Sequence, residues 1–494
     1  MNNILVFPMI LPIVAGVGLL FFRTSRSIQR WGSIAAMTAV FSISLFILTT
    51  VLSDGIMRLD FGEWLPPFGI TFVADAFAML LVSAASLVSI LCLLYAAFAR
   101  DEQREHFFLY PFLLLLTAGV NGSFLTGDLF NLFVCFEVML LASYVLMTLG
   151  GERRQLVEGV KYILINILSS WLFLLGIAYI YGTLGTLNMA HLSLRIAEAG
   201  QPPLLTTISI LFLVVFSLKA GLVLYFWLPG SYGALPTAVS ALFAALLTKV
   251  GVYALFRTFT LLFYHEPNIT HTIIGWMAVA TMIGGSIGAI AYKDIRKIAS
   301  YNVVIAVGFM LAGLAAFNLE AIEGAIYYLL HDILVKGLLF LSIGSIIYAT
   351  GKTRFDEVSG LIVNYPLFGW MFFVTILSLG GIPPFSGFPG KILIGQGSIA
   401  AGEYVLAAVA FASSLAVLYS LIRIFLSMFW GEMSIRRKDQ VPLTKGRLAP
   451  ILILTLLTAG LGLGMNLLSP YVSEAANVLM NPELYINKAL NKPF

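Results

Sequence analysis

The chain has 494 residues, 60% of them hydrophobic and 11% charged, with a formal net charge of +4. A soluble domain carries roughly a quarter charged residues, so this composition excludes a water-soluble core and makes the lipid bilayer the solvent. The basic residues do not interleave with aromatic ones in a patch, which excludes a nucleic-acid binder.

The first apolar run, Met1 to Phe22, has no basic residue ahead of it and no small-residue cleavage site, so it is read as a retained helix rather than a leader. The spacing of apolar runs predicts spans near 3–22, 31–52, 73–99, 107–126, 129–149, 160–182, 204–228 and 236–257. Six more follow near 272–292, 298–317, 322–349, 365–400 with an internal break, 403–430 and 448–468. The fold class is thus an all-α membrane protein of about fourteen helices. No polar stretch is long enough to fold outside the membrane. Cys92 and Cys135 both fall inside apolar runs and belong to no metal or haem pattern, so no cofactor is expected.

Cytoplasmic loops collect Lys and Arg, and orientation alternates with each span. With the N-terminus outside, the cytoplasmic loops hold eighteen Lys and Arg, among them Arg23, Arg100, Arg104, Arg153, Arg154, Lys293, Arg296, Arg436, Arg437, Lys438 and Arg447. The opposite side has five: Arg58, Arg195, Arg257, Lys488 and Lys492. This asymmetry predicts both termini on the outer face. Five further cations sit inside spans: Lys219, Lys249, Lys336, Lys391 and Arg423.

Spans four to eight and nine to thirteen form two sets of five. Because five is odd, the second set starts from the opposite face, the geometry of an inverted repeat. The chain is expected to divide into 1–106 (helices 1–3), 107–257 (first set), 258–430 (second set) and 431–494 (loop, helix 14 and C-terminal tail). In the first set the fourth helix carries Ser217-Leu218-Lys219-Ala220-Gly221 and runs into Pro229; in the second it is interrupted at Gly381, Pro383 and Pro384, ahead of Lys391. Pro and Gly free backbone groups that hydrocarbon cannot satisfy, so such breaks imply a protein-covered or hydrated midplane site.

Glu137 lies near the centre of the fifth span. A charge held there costs on the order of 3 kcal/mol on insertion scales, and five buried cations with a carboxylate point to proton movement. Buried lysine takes and releases protons readily, and Glu137 would make a switchable pair with Lys219 if the fold brings the two together, which the sequence does not show. For any one of these residues the plainer explanation is an ion pair or hydrogen bond that joins helices. Asp332, four residues ahead of Lys336, is read in this way as a salt bridge on one helix face. His331 is open to two readings, a packing residue or a proton donor to Lys336 through water. Arg423 is read as a helix anchor, and Asp75 and Asp128, near span ends, as hydrated.

The segment Ser231-Tyr-Gly-Ala-Leu-Pro236-Thr-Ala-Val-Ser240 through Thr248-Lys249-Val-Gly251 resembles the signature of the antiporter-like membrane subunits shared by respiratory complex I, membrane-bound hydrogenases and Mrp-type sodium/proton antiporters. Ser300-Tyr301-Asn302, His331 with Lys336, and Gly381-Ile-Pro-Pro-Phe-Ser-Gly-Phe-Pro-Gly-Lys391 match as well, and the resemblance covers essentially the whole chain. It implies that Glu137 and Lys219 form a proton-loading pair, and that Lys249, His331, Lys336 and Lys391 continue a lateral polar axis. The overall length and the Phe388-Pro389-Gly390-Lys391 wording look most like the D-type branch of the Mrp antiporters, whereas the nearest complex I relatives usually carry glutamate in place of Lys391.

This resemblance further implies a transporter subunit rather than an enzyme, in a bacterial plasma membrane, moving H⁺ together with partners of the Mrp A, B, C, E, F and G types. Na⁺ is then handled indirectly, with no metal held by this chain. The alternative is a proton-pumping membrane subunit of complex I or of a membrane-bound hydrogenase.

Overall fold

A computed structural model describes residues 2–99, 104–105, 107–200, 202–434 and 440–490. Arg100, Arg436, Arg437, Lys438 and Lys492, which enter the charge asymmetry above, lie outside the described residues. Among those described, twelve helices are long and apolar enough to cross a bilayer. Two shorter apolar helices, Leu109–Leu125 and Pro366–Gly380, bring the crossing elements to the fourteen expected.

The first three are α1 (Phe7–Leu20), α2 (Arg26–Asp54) and α3 (Ala76–Ala99). Between α2 and α3 lies a small antiparallel hairpin, β1 (Met57–Asp60) with β2 (Thr71–Ala74), paired from Met57 opposite Ala74 to Asp60 opposite Thr71. The first five-span set comprises α4 (Leu109–Leu125), α5 (Leu129–Thr148), α6 (Arg153–Leu184), a broken helix and α10 (Thr237–Leu261). The broken helix is α8 (Pro203–Ala220) followed by α9 (Leu228–Ala234); the link before it folds as α7 (Met189–Ala199). The second set repeats the order as α11 (Pro267–Ala291), α12 (Ile295–Ala316), α13 (Leu319–Thr350), α14 (Pro366–Gly380) broken from α15 (Gly387–Ala400), and α16 (Tyr404–Met428). Then come α17 (Lys445–Leu463), α18 (Met465–Met480) and α19 (Pro482–Ala489).

Both breaks occur where the sequence places them, and for the same local reason. Gly221 (φ +78°) ends α8 and Gly381 (φ +78°) ends α14, each in the left-handed conformation that glycine adopts without steric cost. Pro229 then sits in the first turn of α9, where its missing N–H leaves no intrahelical bond unmade. The freed backbone groups find partners inside the protein: Trp227 Nε1 donates to the Leu218 carbonyl (3.1 Å), and the Val223 amide donates to Thr281 Oγ1 (2.8 Å).

Burial sorts the helices. All of the apolar window of α10 and 89% of that of α3 are covered by the rest of the chain, against 28% for α1 and 39% for α6. Helices apolar all round belong in the interior of a membrane bundle, and α3, α10 and α13 pack together as that interior. The lysines they carry therefore face protein rather than lipid.

Two features depart from the sequence reading. α7 begins where the Asn188 side chain accepts the His191 amide (3.1 Å) and turns Met189, Leu192 and Ile196 inward. The residues after the last span are not a simple tail. α18 buries Val472, Ala475, Ala476 and Leu479 at helical spacing, and α19 buries Tyr485 and Ile486.

Candidate functional site

Glu137 lies on α5, half-buried, and Lys219 lies in the last turn of α8, buried. They are joined through Ser170 of α6. Lys219 Nζ donates to Ser170 Oγ (3.2 Å), and Ser170 Oγ donates to Glu137 Oε1 (2.5 Å). The ammonium also lies over the Phe136 ring, 5.0 Å from its centroid, which offsets part of its desolvation. An ammonium, a hydroxyl and a carboxylate in line form a complete donor and acceptor chain. Sequence reasoning missed Ser170, whose only local signal is the Ser169-Ser170 pair in the middle of an apolar span.

Lys249 lies near the middle of α10. Two residues on, Gly251 lets α10 touch the end of α8: a Cβ there would stand 2.6 Å from the Ala220 amide nitrogen. That contact brings the Lys249 level of α10 beside the residue that follows Lys219. Lys249 Nζ pairs with Asp332 Oδ2 on α13 (2.6 Å, both side chains 0% exposed) and donates to the Ala244 carbonyl (2.7 Å). Asp332 also faces Lys336 one helical turn away (3.4 Å), and Lys336 donates to the Asn302 carbonyl of α12 (2.9 Å). The expected Asp332–Lys336 bridge is present, but the shorter contact is with Lys249. One carboxylate thus serves two lysines from different five-span sets.

His331, next to Asp332, turns toward the second break: its Nδ1 is 2.8 Å from Ser386 Oγ, which is 3.1 Å from Ser378 Oγ. Its Nε2 has no hydrogen-bond partner among the described residues. Lys391, at the start of the second turn of α15, reaches back to donate to the Leu379 (2.8 Å) and Gly380 (3.2 Å) carbonyls. A cation there satisfies the orphan carbonyls at the C-terminus of α14 and complements the negative end of its dipole. Glycine at both contact points, Gly324 on α13 and Gly390 on α15, permits the close helix approach that seats Lys391 beside Tyr328.

The six expected residues therefore fall into three groups: Glu137 with Lys219, Lys249 with Lys336, and His331 near Lys391. No direct hydrogen bond joins one group to the next among the described residues.

Two acidic residues depart from expectation. Asp75 and Asp128, read as hydrated, are 0% and 7% exposed. Asp75 Oδ2 pairs with Arg257 Nη2 (2.6 Å), and Arg257, counted above as a loop residue, lies buried against the Tyr485 ring of α19 at 4.9 Å. Asp128 accepts the Asn131 amide (2.8 Å) and caps α5. Arg423 donates to the Ile290 (3.0 Å) and Tyr292 (2.8 Å) carbonyls, tying α16 to the end of α11 as an anchor does.

A family model described as NADH:quinone oxidoreductase/Mrp antiporter, transmembrane, matches residues 126–464. The D-type subunit of the Na(+)/H(+) antiporter of Bacillus subtilis is 47% identical over 493 residues, covering 100% of both chains. A chain in the structure of the Mrp complex from Dietzia superposes with a TM-score of 0.93 at 30% identity, covering 99% of this chain and 100% of that one. A chain of the membrane-bound sulfane sulfur reductase, an archaeal respiratory membrane complex, superposes with a TM-score of 0.91 over 99% of this chain and 100% of its own; at 24% identity it shares the fold alone. With a family model across most of its length and a full-length relative at 47% identity, the chain belongs to the NADH:quinone oxidoreductase/Mrp antiporter membrane family, in the branch of the D-type antiporter subunits.

Proposed function

We propose that this chain is the proton-carrying subunit of a multisubunit Na⁺/H⁺ antiporter in a bacterial plasma membrane. It moves protons along Glu137, Lys219, Lys249, His331, Lys336 and Lys391, and couples them to Na⁺ efflux through partner subunits of the Mrp A, B, C, E, F and G types. Both termini lie on the outer face in this reading, as the basic loops favour.

The observation that carries the proposal is the Lys219–Ser170–Glu137 chain. When Lys219 gives an N–H proton to Ser170 Oγ, the serine gives its own proton to Glu137, and two opposite charges become a neutral amine and a neutral acid. That step needs no movement of heavy atoms beyond a hydrogen bond, and it changes the charge facing the next lysine, Lys249. Asp332 then sets how two lysines share one negative charge, so a proton arriving at either shifts the balance of the other. Between the three groups the proton travels through water. The 47% identity to a D-type antiporter subunit favours this function over a redox-driven pump of the same fold.

The test has two parts. The complex is purified from native membranes through a tag on this chain and its subunits are identified by mass spectrometry; small and multispan membrane proteins alone support the antiporter, whereas flavin and iron–sulfur subunits assign the chain to a redox enzyme. Glu137→Ala and Lys219→Ala are then measured for Na⁺-driven pH change in vesicles. Undiminished transport by both variants in an assembled complex refutes the proton path.

A further inference from the structure

A cavity of about 450 Å³ opens at the basic face of the interior helices. Three guanidinium groups line it, Arg104, Arg296 and Arg447, against one carboxylate, Glu152. Glu152 pairs with Arg104 (2.6 Å). The hydrogen bonds of the other two go to neutral groups. Arg447, 8% exposed, donates to the Ala99 carbonyl (2.9 Å) and lies over the Tyr348 ring; Arg296 donates to the Gly233 carbonyl (3.3 Å). Neither lies within 4 Å of a carboxylate among the described residues. An arginine has no neutral form to retreat to, and Arg296 meets the like charges of Arg154 and Arg104 as well as the more distant carboxylates of Asp294 and Glu152, so two guanidinium groups with no direct ion pair among the described residues leave a positive site that an anion stabilises.

A second source of positive potential meets the same space. α10 starts at Thr237 on the cavity wall, with Pro236 before it and no side chain capping its first-turn amides. The N-terminus of a 25-residue helix adds its unpaired N–H groups and the positive end of its dipole. Guanidinium forks match phosphate oxygens in pairs, and basic pockets between membrane helices on the cytoplasmic side suit phospholipid headgroups. Leu235 and Ile347 supply an apolar wall next to the charges.

We propose that this cavity binds a phosphate group between Arg296 and Arg447, carried either by an anionic phospholipid or as free phosphate. The site is separate from the row of buried lysines, and the inference does not depend on the proton path.

The intact complex, purified in detergent, provides the test. Phospholipid retained after exhaustive detergent washing is extracted and quantified for the wild type and for Arg296→Gln/Arg447→Gln. In parallel, delipidated complex is titrated with inorganic phosphate against chloride at equal ionic strength while thermal denaturation is followed. A retained anionic phospholipid that the double variant lacks assigns the headgroup. A phosphate-specific rise in the wild-type midpoint of roughly 2 °C or more, absent in the variant, assigns free phosphate. Lys352→Gln, an exposed change on the same face, is expected to alter neither readout. If the wild type retains no anionic lipid and phosphate acts no differently from chloride, the proposal is overturned, whether or not the double variant assembles.

Discussion

Lys249 and Asp332 form an ion pair 2.6 Å long with both side chains fully buried, and it joins the last helix of the first five-span set to the third helix of the second. Two charges removed from water gain less from each other than they lose in hydration unless every other bond is also made. Here the two ammonium groups also donate to the carbonyls of Ala244 and Asn302 and Lys336 stands 3.4 Å from the carboxylate, but neither Asp332 oxygen has a well-directed hydrogen bond among the described residues.

Asp332→Asn leaves two buried lysines with no carboxylate between them. Removing one member of a buried pair costs about 3–5 kcal/mol, so the variant is expected to yield less assembled complex and to lose transport. Asp332→Asn combined with Lys249→Met removes a cation as well and should recover assembly but not transport. Native gels of the tagged complex and pH changes in vesicles read the two effects separately. Recovery of both in the double variant means that the pair only holds helices together.

Ser170→Ala removes the hydroxyl between Lys219 and Glu137 while leaving the fold's packing nearly intact. A hydrogen bond to a charged group contributes roughly 1.5–3 kcal/mol, so proton transfer across this gap should slow by about tenfold or more, with normal assembly. Ser170→Thr keeps the hydroxyl and should retain most of the rate. Equal rates for the alanine and threonine variants in a flux assay show that water alone bridges the two charges.

These two cases mark what the sequence makes legible. Fourteen spans, the two breaks and the buried lysines are readable because the bilayer forces long apolar helices, because Gly221, Gly381 and the adjoining prolines interrupt them, and because a lysine in such a run has no other explanation than protein contact. Ser170 is not legible: serines in membrane helices commonly bond to their own preceding turn, as Ser300 and Ser398 do here, and only the tertiary fold sets Ser170 apart. Asp332 is visible beside Lys336, but its stronger bond crosses to a distant part of the chain. Asp75 and Asp128 sit at span ends, where charge usually meets water; the hairpin and the C-terminal helices cover them, and a search for long apolar runs passes over helices as short and mixed as α18 and α19.

Asp75 and Arg257 give a prediction about that C-terminal packing. Asp75 also accepts the Ala78 amide (2.8 Å) at the start of α3, and Arg257 Nε donates to the Tyr253 hydroxyl (3.2 Å). Asp75→Asn strands the guanidinium beneath Tyr485, with an expected loss of about 3–5 kcal/mol of local stability. Proteolysis of residues 464–490 should accelerate in that variant. Asp75→Asn/Arg257→Met, with no buried charge, should restore resistance; since asparagine keeps the amide cap on α3 in both variants, equal sensitivity would mean that the stranded guanidinium is not what loosens the segment.

Gly251 concerns the distance between the first two groups of the site. An alanine Cβ there would stand 2.6 Å from the Ala220 nitrogen and 2.8 Å from its Cα, closer than atoms of a packed interior tolerate. α10 must withdraw from the end of α8, at a cost of about 1–3 kcal/mol for overpacking. The withdrawal separates Lys249 from Lys219, so transport should fall further than assembly does. Gly182→Ala on α6, where an added Cβ meets nothing within 4 Å, is the matched control and should leave both unchanged. Measured side by side in vesicles, a Gly251→Ala complex that transports as fast as Gly182→Ala would mean that protons do not pass between α8 and α10 at this contact, and the step from Lys219 to Lys249 would have to be sought elsewhere in the bundle.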